Sequence, residues 1–140
     1  MASIREQIAQ AFVTALAGTA SVGTHIFRSL EDAISREESP ALVVRTLGDA
    51  PDRIDISFVY SKLTIAVDVF ARGTSVETVI DPVAVSAYGK IMASAGIRAL
   101  VLDIEPGQQN FETASADLDA GILTMQFTVL YRHSYGALDV

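Results

Sequence analysis

The chain has 140 residues, half of them hydrophobic and 19% charged, which is typical of one folded domain and argues against intrinsic disorder. It contains no cysteine, which excludes disulfides, thiolate metal sites and cysteine nucleophiles. Its formal net charge of -7 disfavours general nucleic-acid binding, because an acidic surface repels phosphates.

The N-terminal segment has the pattern of an amphipathic helix. Ser3 and Glu6 form a capping box, and apolar residues recur at helical spacing before Gly18. This predicts a helix over residues 4–17 rather than a signal peptide. No apolar stretch in the chain is long enough to span a bilayer, so synthesis in the cytoplasm is the expectation.

Two strands and a turn are predicted after this helix. Residues 25–28 form a short candidate strand, and residues 41–47, after Pro40, form a longer strand rich in valine. Residues 31–39 are polar and acidic and indicate an exposed loop. Residues 48–52 are dense in turn-forming types, which predicts a turn there.

The next segment contains two alternating apolar sets of opposite parity. The first set is Ile54, Ile56, Phe58 and Tyr60, and the second is Leu63, Ile65, Val67 and Val69. One strand cannot hold both sets on one face, because its side chains alternate with a period of two. A bulge or tight turn near Ser61 is therefore predicted. Residues 62–72 would then form a core strand, and the first half an arm reaching beyond the sheet.

A second helix is predicted from the pair Asp81 and Pro82, a capping residue followed by proline at the first helical position. An apolar stripe then runs through residues 84–95, and Gly96 is predicted to end the helix.

The C-terminal third predicts two further strands. Apolar residues alternate along residues 100–104, which predicts a strand. Pro106 and Gly107 follow and are expected to end it. Residues 108–121 are polar and predict a long loop or loose hairpin tip. Residues 123–131 alternate cleanly and predict the last strand, and residues 133–140 are predicted to be a flexible tail.

These elements define the predicted fold class as α+β. The order α-β-β-β-α-β-β, with short links and alternating strands, predicts a two-layer domain. Its sheet is mostly antiparallel, with about five strands and two helices packed on one face. A single domain is expected to span residues 1–140.

The sequence contains no recognisable catalytic or metal-binding motif. His25 and His133 are far apart and are read as surface or strand residues. Residues 117–121 faintly resemble a calcium loop but lack the required oxygen ligands and closing glutamate, so a solvated turn is favoured. No glycine-rich phosphate loop and no serine elbow are present. We therefore predict no catalytic residue, cofactor or metal.

An acidic group between residues 31 and 38 leaves three interpretations open. Its members are Glu31, Asp32, Glu37 and Glu38. Paired carboxylates can serve acid–base catalysis, but charges in a polar loop usually remain solvated. The third interpretation is contact with arginines of a neighbouring subunit, where each exposed ion pair contributes about 0–1 kcal/mol.

Four segments of the sequence, together with the order of elements, resemble the tail terminator family of long-tailed bacteriophages (the minor tail protein U-like group). The segments cover residues 26–29, 37–44, 63–73 and 121–132, and the resemblance extends from the first helix to Arg132. It implies a non-enzymatic virion protein that forms a six-membered ring on the head-proximal end of the tail tube. Such a ring stops tube growth and contacts head completion proteins, while DNA passes through its lumen without specific binding.

A ring made of heterologous contacts requires two different complementary patches on each subunit. The arm at residues 48–62 and the loop at residues 106–121 are expected to supply them. The expected interface residues are Arg28, Glu31, Asp32, Glu37, Glu38, Asp49, Arg53, Phe58, Tyr60 and Phe111.

Two alternatives stay open. The first is another tail-tube, neck or head–tail connector protein, because such proteins share small α+β folds. The second is a small ligand-binding domain or enzyme, with a site that includes His25, Asp68 or Tyr88.

Overall fold

A computed structural model describes residues 2–28, 40–73, 75–113 and 120–140. Within these ranges the chain forms three helices and one five-stranded sheet. The elements in chain order are α1 (Ile4–Ala15), β1 (Ile26–Phe27), β2 (Ala41–Ile54), β3 (Phe58–Arg72), α2 (Val76–Ala93), α3 (Ala95–Arg98), β4 (Asp103–Thr113) and β5 (Ala120–Ser134).

The sheet has the strand order β1-β2-β3-β5-β4. The short β1 pairs parallel to β2, and every other neighbouring pair is antiparallel. Helix α1 packs near β2, and α2 packs on β3 and β5. The predicted α+β class, with a mostly antiparallel sheet of five strands, is confirmed, and α3 adds one element to the predicted order.

Helix α1 begins as its sequence predicts. The Ser3 hydroxyl accepts a hydrogen bond from the backbone N–H of Glu6 at 3.2 Å, and Ile8 and Phe12 are fully buried on one face. The helix ends at Ala15, two residues before the predicted end. The reciprocal half of the capping box is absent, because the Glu6 carboxylate pairs with Arg28 instead.

The turn predicted at residues 48–52 is wrong. Strand β2 continues through these residues to Ile54, and two register shifts accommodate them, between Thr46 and Gly48 and between Pro51 and Arg53. Because a bulge absorbs an extra residue without ending a strand, turn-forming residues are compatible with continued pairing here. The chain turns later, at residues 55–57.

The break predicted near Ser61 is also wrong, because β3 pairs with β5 from Phe58 to Arg72 without a register shift. Phe58 and Tyr60 of the first set and all of the second set lie instead on opposite faces of one continuous strand, whereas Ile54 ends β2 and Ile56 lies in the turn. Ser61 and Leu63 face the helices, whereas Phe58 and Tyr60 face away from them. The predicted arm is therefore part of the sheet, and only the turn at residues 55–57 projects from it.

Helix α2 begins at Val76, well before the predicted start, and Pro82 lies inside it. An interior proline costs one helical hydrogen bond, but burial of Val76 and Ile80 stabilises the turns that precede it. A Cβ at Gly121 would lie 3.0 Å from a methyl group of Val76, so the glycine permits this close contact. The stop predicted at Gly96 is also wrong, because α2 ends at Ala93 and Gly96 lies within α3.

Strand β4 passes through the predicted stop at Pro106 and Gly107. A register shift between Pro106 and Gln109 accommodates these residues, and pairing with β5 continues to Thr113. The predicted loop is thus wrong for residues 108–113, and residues 114–119 lie outside the described ranges. Strand β5 is longer than the predicted segment 123–131 at both ends.

The C-terminal residues make hydrogen bonds with the body of the domain. The backbone N–H of Tyr135 donates to the Ser57 carbonyl, and that of Ile4 donates to the Leu138 carbonyl at 2.8 Å. The buried His133 holds its Nδ1 2.9 Å from the carbonyl oxygens of Ser134 and Ala137, so that nitrogen carries the proton. The flexibility of residues 133–140 stays a prediction.

The hydrophobic core lies between the helices and the central strands, with Phe127 of β5 near its centre. Phe127 is fully buried, and its ring centroid lies 5.9 Å from those of Phe12 and Tyr88. These contacts join α1 and α2 to the same point of the sheet.

We expect Phe127→Ala to lower the free energy of unfolding by about 3–5 kcal/mol, because it leaves a cavity among three elements. Urea denaturation at pH 7 measures this difference. Ile56→Ala is the matched control, since Ile56 is 96% exposed and its substitution should change stability by less than about 0.5 kcal/mol. Equal midpoints for the two variants would contradict the placement of Phe127.

Candidate assembly surface

Arg28, a predicted interface residue, is held by contacts within the chain. Its Nε and Nη2 donate to the two carboxylate oxygens of Glu6 at 3.1 and 2.9 Å, and its Nη1 donates to the carbonyl oxygen of Val44 at 3.0 Å. The hydrogen bond from Arg28 is the main cause that lowers the pKa of Glu6. The bidentate pair ties the end of β1 to α1, and the hydrogen bond to Val44 ties it to β2. A role of Arg28 between subunits stays a prediction.

Asp49, another predicted interface residue, also makes contacts within the chain. Its carboxylate accepts a hydrogen bond from the Tyr131 hydroxyl and lies 3.5 Å from Nη1 of Arg5. The Asp49 side chain is only 17% exposed. Burial, and then the neighbouring carboxylate, raise the pKa of Tyr131 well above its usual value. Asp49 therefore braces β2 against β5 and α1.

Arg53, Phe58 and Tyr60 come together on the face of the sheet opposite the three described helices. The guanidinium carbon of Arg53 lies 4.1 Å from the centre of the Tyr60 ring, and that of Arg132 lies 4.3 Å from the Phe58 ring. The two rings meet edge to face with centroids 6.5 Å apart. We call these four residues the arginine–aromatic cluster. Arg132 was missed from the sequence, because only the register places it opposite Tyr60.

The hairpin tip, defined as residues 54–58, displays two exposed isoleucines. Ile54 is 58% exposed and Ile56 is 96% exposed. The Asp55 carboxylate accepts hydrogen bonds from the backbone N–H groups of Ser57 and Phe58 at 2.9 and 2.8 Å, which lower the pKa of Asp55. The N–H of Asp55 donates to the Phe58 carbonyl at 2.9 Å. The tip is therefore a closed turn with a defined conformation.

Sequence reasoning did not single out this tip. It assigned Ile54 and Ile56 to an extended arm because they alternate with Phe58 and Tyr60. The available signal was Asp55 followed by Ser57, since aspartate favours turns that its own side chain closes.

A helix–strand groove lies between α2 and the sheet and has a volume of about 270 Å³. Its lining includes Asp81, Val85, Tyr88, Gln109, Leu123 and Met125. Phe111, a predicted interface residue, lies beside the groove because it pairs directly with Leu123. Val85 and Phe111 are 68% and 38% exposed, so the groove has an apolar rim that nothing in the described part of the subunit covers fully.

The remaining predicted interface residues lie outside the described ranges. They are Glu31, Asp32, Glu37 and Glu38. Their role in contacts between subunits stays a prediction.

The residues named for an alternative ligand site are not brought together. Asp68 lies on the face opposite the described helices, where it pairs with Arg45 and accepts a hydrogen bond from the Thr124 hydroxyl at 2.7 Å. Tyr88 lies on α2, on the opposite side of the sheet, and His25 precedes β1. Among the described residues, no group of three or more histidine or acidic side chains is placed to hold a metal ion.

Comparison with known proteins identifies the fold. No family model and no curated protein matches the chain. Among solved structures, the chain is similar to a component of the virion of a native gene transfer agent (GTA) particle, with a TM-score of 0.62 and 11% sequence identity. The match covers 95% of this chain and 100% of that one, so the two share a fold over nearly all of this chain. Within the described ranges, no helix has the length and hydropathy needed to cross a membrane.

We expect Glu6→Gln to reduce stability at pH 7 by at most about 1 kcal/mol, because solvent screens this partly exposed ion pair. The folded-state pKa of Glu6 lies below 4.5, so the pair contributes fully above that pH and its contribution is lost as pH falls through the folded-state pKa. The difference between wild type and variant, measured by urea denaturation, should therefore disappear in acid. Glu77→Gln controls for loss of one exposed helical charge, and a difference that persists at low pH would contradict the assignment.

We expect Tyr131→Phe to reduce stability at pH 7 by about 1.5–3 kcal/mol, because it removes a part-buried hydrogen bond to a carboxylate. The folded-state pKa of Tyr131 is raised, so its contribution is present below the usual tyrosine value of 10.0 and is lost as pH rises towards the folded-state value. Urea denaturation at pH 7 and at alkaline pH measures both effects. Tyr135→Phe, at a residue 64% exposed, is the control and should change little.

Proposed function

We propose that this protein is a structural component of a phage-like virion. In this proposal it caps the head-proximal end of the tail tube as a ring, ends tube growth and provides the surface for head joining. The observation that carries the proposal is the fold shared with a GTA virion component, which spans 95% of this chain and all of the other. The sequence resemblance to the tail terminator family supplies the finer role.

The arrangement of exposed surfaces supports assembly into a ring. The subunit has two unlike apolar surfaces, the hairpin tip and the helix–strand groove, and a heterologous ring uses two different patches on each subunit. The proposed partners are further copies of the chain in a homohexamer, the tail tube protein and a head completion or connector protein. The net charge of -7 is compatible with DNA passing through the lumen without specific binding.

A second candidate is another tail-tube, neck or connector protein of the same particle. The shared fold supports this candidate equally. A likeness in fold to a virion component does not tell where in a particle this chain would lie. The two candidates differ in polymerisation. A tube protein stacks into open-ended polymers, whereas a terminator stops at one ring.

The proposed function is tested by adding the purified protein to tail tubes that are still growing. We expect tube lengthening to stop and electron microscopy to show one ring of added density at a single end of each tube. Mass measurement across a concentration series, without tubes, should show subunits or closed rings of one size.

Two outcomes would contradict the terminator role. Tubes that lengthen at the same rate with and without the protein would exclude termination. Open-ended stacks formed by the protein alone would favour the tube candidate instead. Addition of the protein to tubes that have already been completed is the control, since a ring already in place should leave no free end.

A further inference from the structure

The hairpin tip has the properties of an inserted anchor. Ile56 is 96% exposed at the end of a turn that three hydrogen bonds close, and the Ser57 carbonyl also accepts from the N–H of Tyr135. A side chain displayed on a preorganised turn loses little backbone entropy when it binds. Groups of exposed large apolar residues mark interaction surfaces. Ile54 adds a second such residue to the tip beside Ile56.

The helix–strand groove is a receptor of matching size and polarity. Its volume of about 270 Å³ exceeds the roughly 150 Å³ of an apolar cavity that accommodates a benzene ring, so it can take an isoleucine side chain. Val85, Leu123 and Met125 give it an apolar lining. Phe111 beside the groove adds aromatic surface at 38% exposure.

The tip and the groove of one subunit cannot meet. Met125 in the groove pairs with Val67, whereas Ser134 at the other end of β5 pairs with Phe58 of the tip. Nine residues separate these two positions along β5, which corresponds to roughly 30 Å at about 3.3 Å per residue. Contact between the two surfaces therefore requires a second copy.

The charges around the two surfaces are complementary. The guanidinium groups of Arg53 and Arg132 flank the tip and make no ion pair with a carboxylate among the described residues, although both contribute to the lowered pKa of Asp55. The groove is flanked by the carboxylates of Glu77 and Asp81, which lie one turn apart on α2. The tip thus carries two positive groups and one negative group, and the groove carries two negative groups. In a chain of net charge -7, this difference favours tip-to-groove over groove-to-groove contact.

We propose that the hairpin tip of one copy docks into the helix–strand groove of the next copy, with Ile56 inserted between α2 and β5. This contact is head to tail, and it closes into a ring when the rotation between copies fits. The inference deepens the proposed ring function and rests on it for the ring's place on the tube, but the contact itself is testable on the protein alone. The tip is smaller than the roughly 20–30 residues per side of a standard interface, so we expect it to be weak between free subunits.

Crosslinking tests this contact, and the absence of native cysteine makes it specific. The full chain carrying Ile56→Cys and Val85→Cys is treated with a short bismaleimide, alone and on tail tube ends. We expect a ladder of covalent dimers and larger oligomers, because docking holds the two thiols at a high effective concentration. The yield should exceed that of the control by about tenfold or more, as millimolar effective concentrations predict.

The control carries Leu47→Cys with Val85→Cys, since Leu47 is an exposed apolar residue of β2 away from the tip. The three substituted residues are exposed, and circular dichroism verifies that each variant folds. Equal yields for the two pairs, both in solution and on tube ends, would overturn the docking proposal. Capped tubes without enhanced crosslinking would overturn the docking proposal and leave the proposed function standing. A ladder without tube capping would support docking and contradict the proposed function.

Discussion

The structure depends on the unbroken pairing of β3 at the centre of the sheet. This strand is bonded to β2 on one side and to β5 on the other, and its register with β5 has no shift from Phe58 to Arg72. Because side chains alternate with a period of two, that register determines which face each residue occupies. Leu63 and every second residue after it lie in the core, and Phe58 and Tyr60 are held on the face opposite the described helices.

This constraint explains why the aromatic residues of β3 combine with arginines rather than with the core. Rings on a solvent-facing sheet surface are stabilised by guanidinium groups that cover them, as Arg53 and Arg132 do. On the core-facing side, Asp49 and Tyr131 brace the hairpin against β5. The hairpin is therefore bonded to β5 along the whole length of β3, and its tip projects beyond the paired strands.

The fold class, α1 and the alternation of the strands were predictable because they depend on spacing within a few residues. The errors occurred where a local signal met a stronger long-range one. Pro82 normally starts a helix, but burial of Val76 against Gly121 extends α2 beyond it. Pro51 normally favours a turn, but pairing of β2 with β3 continues past it through a register shift. In each place tertiary packing outweighed local propensity.

The residues of the candidate surface were likewise predictable only in part from the sequence. The sequence by itself determined which residues are apolar, charged or able to close a turn, and it identified Arg28, Asp49, Arg53 and Phe111 as candidates. Tertiary structure decided that Arg28 and Asp49 make contacts within the chain, that Arg132 lies over the Phe58 ring, and that Phe111 lies beside a groove at the far end from the tip. The physical reason is that composition and periodicity act along the chain, whereas pairing register brings together residues that are distant in sequence.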